Sequence, residues 1–368
     1  DGKYLILTVW IGTDDRYRVM YKSLDDADAP LVTLVGDFKN EYLFLGNEGS
    51  VFFFKSDLDA PRKCVLTIDV NDPESRRIIV PQSENSIESA SIVGDRLILG
   101  YLEDAKSLVK VFDLAGTELK TIELPGIGTA SGFSGRRDHE ETFYRFSSFN
   151  RPPATFRLDL NTLQSTLIRQ ANVDFNPDDY VVHQEFYNSK DGTRVPMFIA
   201  HRADLDREVP APTLLYGYGG FNISLTPGFV VSRLQWMEMG GVFAMPNLRG
   251  GGEYGSQWHK AGTKLNKQNV FDDFIAAGEY LKAEGIATED GLAIQGGSNG
   301  GLLVGAVMNQ RPDLFDAGHA AVGVMDMLRF DRWTAGRYWV DDYGKPDVEE
   351  DFKVLRAYSP YHNIKDGT

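Results

Sequence analysis

Residues 293–307 read AIQGGSNGGLLVGAV. An apolar run enters a cluster of glycines around Ser298 and leaves as a second apolar run. Gly296-Gly297-Ser298-Asn299-Gly300 fits the G-x-S-x-G spacing of a nucleophile elbow. The demand is steric. The serine must sit on a sharp strand-to-helix turn that holds its hydroxyl out at the carboxyl edge of a sheet, where neighbouring side chains would collide, so glycine flanks it. Asn299 opens the helix, and its free N–H points where an oxyanion would form. Glycine-rich strand-to-helix turns also bind phosphates. Here GLAIQ reads as the strand before and LLVGAV as the helix after. No Lys-Ser/Thr pair of a phosphate-binding loop follows, and no acidic residue ends a second strand ~20 residues on, as a dinucleotide site needs. A nucleophile is favoured, with a purely structural turn as the alternative.

Strands and helices alternate around this stretch, as in a mostly parallel α/β sheet. Upstream, APTLLYGYGG holds one strand and GGVFAMPNLRGGG another. In an α/β-hydrolase layout the loop after the first of these supplies the second oxyanion donor. Tyr218 is placed to do so through its hydroxyl, and packing alone is an equal reading. Arg249 and Glu253, on the next loop, are expected to pair structurally. NVFDDFIAAGEYLKAEG reads as a helix, with Phe271, Phe274, Ile275, Gly278 and Leu281 on one face, Asn269 as its cap and Gly285 as its end. AGHAAVGV reads as a strand after the elbow helix. YVVHQEFYNSKDGTRVPMFIAHR reads as a hairpin turning at Lys190-Asp191-Gly192.

The chain up to Phe175 is different in character. Short runs of β-branched and aromatic residues alternate with turn chemistry, as in EYLFLGNEG and SVFFFKSD. A strand ending in a polar turn recurs in VMYKSLDD, CVLTIDVND, LVKVFDLAG and TFRLDLNTL. Ser23, Asp69, Asp113 and Asp159 lie 46, 44 and 46 residues apart. A four-stranded propeller blade takes ~40–50 residues, so about four blades of a β-propeller are expected, a β-sandwich being the alternative. The composition changes near Asn176-Pro177-Asp178-Asp179, which divides the chain into residues 1–175 and 176–368.

A net charge of −15 argues against nucleic acid as a partner. No apolar run approaches the roughly 20 residues of a membrane helix. Cys64 is the only cysteine, so an intrachain disulfide is impossible, which fits a reducing compartment. Asp1-Gly2-Lys3-Tyr4 reads like a turn entering a strand in mid-repeat, and a fragment is expected. A signal peptide, had one preceded Asp1, would already be gone.

A serine nucleophile needs a histidine, and the histidine an orienting acid. In α/β-hydrolases the order is serine, acid, histidine. Only His319 and His362 follow Ser298. His319 falls five residues before Val324, roughly 16 Å from that strand's carboxyl end, and reads as a core residue. His362 follows the Ser359-Pro360 turn and reads as structural. The histidines at 139, 183, 201 and 259 are in the wrong order. No base or acid can be assigned.

With these residues in hand, the whole chain resembles the prolyl oligopeptidase family of serine peptidases. The resemblance is most specific in LLYGYGGFNIS, NLRGGGEYG, KQNVFDDF, GGSNGGLL, NQRPDLF, VGVMDMLRF and DDYG. It implies an α/β-hydrolase domain, partial here, under a propeller of seven blades, of which about four are present. It implies cleavage of short peptides after proline, no cofactor, no metal and a monomer. By matching position it makes Ser298 the nucleophile, and the Asn299 N–H and Tyr218 hydroxyl the oxyanion hole. Trp339 becomes the ring that stacks on the substrate proline, with Phe221, Val324 and Tyr343 as further walls. A proline ring is apolar and lacks an N–H, so an aromatic slot suits it. From its position alone Trp339 reads as an ordinary core residue. The catalytic aspartate and histidine are expected beyond Thr368, and this chain alone is expected to be inactive. A cytoplasmic home is usual for the family, though some bacterial members are exported.

The nearest alternative is an oligopeptidase B-like enzyme that cleaves after basic residues, since Asp341 and Asp342 could attract a cation. GGSNGG, VGVMDM and Trp339 favour the proline-specific branch. A non-catalytic propeller that binds proteins, and a lipase or esterase sharing the elbow, are further alternatives.

Overall fold

The computed structural model describes residues 2–366, so Asp1, where the expected opening turn starts, lies outside them, as do Gly367 and Thr368. Residues 4–35, 42–80, 86–122 and 129–170 form four separate antiparallel meanders, three of four strands and the first of three. The recurring positions fall at equivalent places. Ser23, Asp69 and Asp159 end their strands, and Asp113 follows Lys106–Phe112. Each strand is flanked by neighbours on both sides. The Asp113 and Asp159 carboxylates accept backbone N–H groups of the turns that follow. That local bonding explains why the polar turn repeats. Sheets contact one another through apolar clusters. Phe53, Val65, Ile87, Leu97 and Leu99 join the second and third sheets, and Val93, Ile98, Tyr144 and Phe146 the third and fourth. These are propeller blades rather than a sandwich.

The second part of the chain carries one six-stranded sheet. Its strands are β1 (Tyr180–Asn188), β2 (Arg194–Arg202), β3 (Ala211–Tyr216), β4 (Val242–Pro246), β5 (Ala287–Gly297) and β6 (Ala317–Ala321), in the order 1-2-4-3-5-6. β1 and β2 form the hairpin, with Asn188 opposite Arg194. β4, β3, β5 and β6 are mutually parallel. Helix α1 (Val231–Glu238), which the sequence did not announce, lies between β3 and β4, and the five-residue α2 (Ser256–Lys260) follows β4. Helices α3 (Gln268–Ala283) and α4 (Asn299–Gln310) cover the sheet, burying Phe271, Phe274, Leu281, Leu302, Leu303 and Val307 against Leu215, Leu292 and Ile294.

Three expectations need correction. Asn269 does not cap α3: its side-chain amide donates to the Ala261 carbonyl. The chain enters α3 from a preceding 3-10 turn (Lys264–Asn266), so no extended capping residue exists there. β6 stops at Ala321, because Val322 turns to φ 44° and leaves the strand. His319 is exposed rather than in the core. β6 is one of the sheet's two edge strands among the described residues, and the His319 Nδ1 lies 3.0 Å from the Gln295 amide nitrogen. Gly285, at φ 67° beyond the end of α3, does close that helix.

The propeller rests on the carboxyl edge of this sheet. The Ser256 N–H donates to Pro61 O, the Tyr254 hydroxyl to Asp104, the Asn222 amide to Asp15, and the Thr13 hydroxyl to Tyr338 O. Each of these joins a blade loop to a connecting segment of the second part of the chain.

Candidate active site

β5 runs to Gly297, and α4 begins at Asn299. Ser298 between them takes φ 56° and ψ −116° and is exposed. Such a positive φ is strained for a residue with a β-carbon, and it is held only because the surroundings fix it. The Ser298 N–H donates to Ala321 O at the end of β6, and its carbonyl accepts from the Gly301 and Leu302 N–H groups. The pattern's two glycines are the ones the packing requires. A β-carbon on Gly296 would lie 2.2 Å from Gly300 O, and one on Gly300 2.5 Å from Gly217 O. At Gly297, a variable position of the motif, the nearest atom would be 3.8 Å away.

The loop after β3 comes to the same edge. Its contact with the elbow runs through the Asn299 side chain, whose Nδ2 donates to Tyr218 O at 2.6 Å. Burial raises the Tyr218 hydroxyl above its ordinary pKa, with Asp342 adding to the rise, while a hydrogen bond with the Ser298 side chain acts against it. The phenol therefore keeps its proton and stays a donor beside the serine. A helix N-terminal N–H at Asn299 and a protonated hydroxyl at Tyr218 thus border Ser298, and donors so placed stabilise developing negative charge on a reacting carbonyl.

Phe221 and Tyr343 meet edge-to-face, centroids 5.3 Å apart, and Phe330 meets the other side of Tyr343 at 5.2 Å. Tyr343 is 1% exposed, and its hydroxyl donates to Asn299 Oδ1 at 2.9 Å. Phe221, Val324 and Trp339 are half-buried and pack against the same core cluster. Trp339, immediately before α5 (Val340–Tyr343), is half-buried and so not enclosed as a core tryptophan would be.

Of three further residues here, Lys267 and His259 are not legible from sequence as parts of a site, and Asp342 is legible only as an attractor of a substrate cation. Lys267 is 1% exposed, and its Nζ donates to Gly219 O at 3.0 Å and Asn299 Oδ1 at 3.2 Å. Asp342 is 2% exposed, 3.5 Å from that ammonium, and it accepts the Phe221 N–H at 3.0 Å. His259 lies with Nε2 2.8 Å from Asp342. Burial drives the Asp342 pKa upward, but Lys267 and His259 outweigh it, so the carboxyl stays below its ordinary value and ionised. A lone lysine or aspartate in a sequence is read as surface, since such residues are rarely buried unless paired. Lys267 and Asp342 are far apart in the chain, so nothing local announces their pairing. KQNVFDDF and DDYG carry these residues, which was the only available signal.

Arg249 and Glu253 do not pair. Arg249 forks onto Asp273, with Nη2 2.6 Å from Oδ1, and also reaches Asp191. Glu253 accepts instead from the Leu225 N–H at 2.8 Å and from Asn247. Among the described residues, no histidine is hydrogen-bonded to Ser298. His362 Nδ1 lies 2.8 Å from the buried Ser359 hydroxyl, a local contact that fits its structural reading.

The model of the prolyl oligopeptidase family matches residues 227–368, and that of the prolyl oligopeptidase N-terminal beta-propeller domain matches residues 1–171. The chain belongs to the prolyl oligopeptidase family. A prolyl endopeptidase of Elizabethkingia miricola is 41% identical over 371 residues, covering 100% of this chain and 52% of the relative. A solved structure from work on two prolyl endopeptidases and the role of inter-domain dynamics in catalysis and specificity superposes with a TM-score of 0.95 at 45% identity, covering 100% of this chain and 54% of its own. Prolyl oligopeptidase B from Galerina marginata, bound to a 35mer hydrolysis and macrocyclization substrate, gives 0.96 at 32% identity with the same coverage, 100% and 54%. The chain spans about half the length of the curated relatives it matches. Family and fold therefore agree: propeller blades precede an α/β-hydrolase sheet that carries the elbow.

Proposed function

We propose that the protein is a serine endopeptidase that cleaves short peptides on the carboxyl side of proline, through an acyl-enzyme on Ser298. The observation that carries this reading is the elbow. Ser298 is held exposed at φ 56° beside the Tyr218 hydroxyl and the first turn of α4. The Ser298 oxygen attacks the carbonyl carbon of the proline residue and gives its proton to a base. The new oxyanion is bound by the Asn299 N–H and the Tyr218 hydroxyl, and the amine leaves with a proton. Water then hydrolyses the ester by the same route in reverse. Trp339, Phe221, Val324 and Tyr343 hold the proline ring. Among the described residues no histidine is hydrogen-bonded to Ser298, and neither the base nor its orienting acid is assigned to a residue here.

Residues 1–175 form the propeller part of this enzyme and residues 176–368 its hydrolase part. Its partners are proline-containing oligopeptides, with no nucleic acid or membrane, and it acts as a monomer. No helix among the described residues is long and apolar enough to cross a membrane. The compartment is cytoplasmic, or periplasmic or extracellular where an export signal is present. Specificity for basic residues finds less support, because Asp342 is buried and already engaged by Lys267, His259 and the Phe221 N–H.

Turnover of a fluorogenic Gly-Pro amide by the intact protein tests the reading. No turnover, or turnover unchanged by Ser298→Ala, overturns it. Stoichiometric fluorophosphonate labelling of Ser298 separates it from a non-catalytic binding propeller.

A further inference from the structure

The two proposed oxyanion donors come from separate loops, one after β3 and one after β5, and something must fix the distance between them. We infer that Lys267 is a positioning residue that sets it, clamping the Tyr218 loop to the nucleophile elbow and, through Asp342, to the wall of the proline pocket. The inference rests on the reading of Tyr218 and Asn299 as oxyanion donors.

The ammonium has three oxygen partners, one on each piece of the site, two by hydrogen bond and one as an ion pair. Gly219 O, 3.0 Å away, belongs to the residue after Tyr218. Asn299 Oδ1, 3.2 Å away, belongs to the residue after Ser298. The Asp342 carboxylate, 3.5 Å away, holds the Phe221 N–H. An ammonium has donors and no acceptor, so it can serve the two carbonyl oxygens by hydrogen bonds while its charge faces the Asp342 carboxylate, and an apolar side chain can do neither. The Asn299 amide is fixed in turn. Its Oδ1 takes Lys267 and the Tyr343 hydroxyl, and its Nδ2 gives to Tyr218 O. These three contacts leave one amide orientation, and so hold the backbone whose N–H faces the oxyanion. The loop is already closely packed on its inner side. A β-carbon on Gly219 would already sit 2.4 Å from Val270, and one on Gly220 2.7 Å from Asn299 Nδ2, so backbone and side chains there are in close contact.

The lysine is 1% exposed, with Nζ 5.3 Å over the Tyr343 ring, so it is shut off from the solvent-facing cleft. It does not touch substrate. Its effect must pass through Tyr218 and Asn299, which makes the inference testable by a double-mutant cycle.

Steady-state kinetics on a fluorogenic Gly-Pro amide are compared for the intact wild-type protein, Lys267→Met, Tyr218→Phe and the double variant, with circular dichroism as the fold control. Loss of one oxyanion donor costs roughly 10²–10³ in kcat. Lys267→Met is expected to lower kcat about 100-fold with KM within about threefold, and the double variant to lose less than about tenfold beyond the worse single. Full additivity of the two losses, or an effect of Lys267→Met confined to KM, overturns the inference and leaves the oxyanion reading standing. An unchanged kcat in Tyr218→Phe alone overturns that reading and the inference with it. If Lys267→Met fails to fold, the cycle is run with Asn299→Ala, which removes the clamped amide and keeps the backbone N–H. Non-additivity with Tyr218→Phe is again expected, and additivity overturns the clamp.

Discussion

Arg249 and Asp273 form a buried forked ion pair beneath the loop that follows β4. The guanidinium Nε lies 3.1 and 3.0 Å from the two carboxylate oxygens, Nη2 lies 2.6 Å from Oδ1, and the Arg249 N–H donates to Oδ2 at 3.0 Å. Asp273 is 0% exposed. Removing one partner of such a pair strands the other charge in a dry site. Asp273→Ala is expected to destabilise the protein by about 3–5 kcal/mol. Urea denaturation checks this, and a loss below about 1 kcal/mol would show that the pair is dispensable.

Glu253 predicts a stability change near neutral pH. Full burial pushes its carboxyl up to about 7 from an ordinary 4.5, against the hydrogen bonds from Leu225 and Asn247. Between those values the folded state keeps the proton and the unfolded state has lost it. This contribution therefore falls as pH rises from about 4.5 to about 7 and is level above, a total of about 3 kcal/mol. Glu253→Gln is expected to flatten the slope between pH 5 and pH 8 in denaturant titrations. Equal slopes in the two proteins would exclude Glu253 as its source.

Asp191 works in the opposite sense and at lower pH. Its hydrogen bond to Arg249 holds its carboxyl down to about 2, against a weaker desolvation. The stability it gives is present above the ordinary 3.8 and is lost as pH falls toward 2. The carboxylate is about half exposed, so solvent screens the effect and it is small. Asp191→Asn is expected to reduce acid sensitivity between pH 4 and pH 2, read from thermal melts. A steeper acid loss in the variant would contradict it.

The glycine contacts predict graded damage at the elbow. Gly296→Ala places a methyl 2.2 Å from Gly300 O and 2.9 Å from Gly217 O, both backbone. Fluorophosphonate labelling of Ser298 in the intact protein is expected to slow at least about tenfold, as oxyanion geometry shifts. Gly297→Ala, with no contact nearer than 3.8 Å, is expected to do less harm. The reverse ranking would mean that the motif's glycines are not there for steric reasons.

Trp339 tests the pocket. Its loss removes an aromatic face worth about 2 kcal/mol, or roughly 30-fold in kcat/KM for a Gly-Pro amide. Trp339→Ala is expected to show that loss, and a Trp339→Phe variant much less of it. Equal kinetics in all three proteins would place the proline elsewhere.

The sequence by itself determined what depends on neighbours along the chain. G-x-S-x-G between two apolar runs defined the strand, turn and helix around Ser298, because the steric demand is local. The recurrence of Ser23, Asp69, Asp113 and Asp159 marked the blades, because each turn hydrogen-bonds to itself. The hairpin at Lys190-Asp191-Gly192 and the stop at Gly285 are local in the same way. Tertiary structure alone decided who meets whom across the chain. In the sequence Lys267 carries no role, Asp342 counts only as an attractor of a substrate cation, and Asn299 only for its backbone N–H, yet burial and mutual pairing bring the three side chains together behind the elbow. Arg249 sits one helical turn's length of chain from Glu253 but found Asp273, inside α3, because a buried guanidinium needs a carboxylate aligned with its fork and Glu253 points to the Leu225 N–H. His319 read as core and is exposed, since a strand's burial depends on what covers it. Short-range sterics and hydrogen bonds are written in sequence order, whereas a buried charge chooses its partner only after the chain has folded.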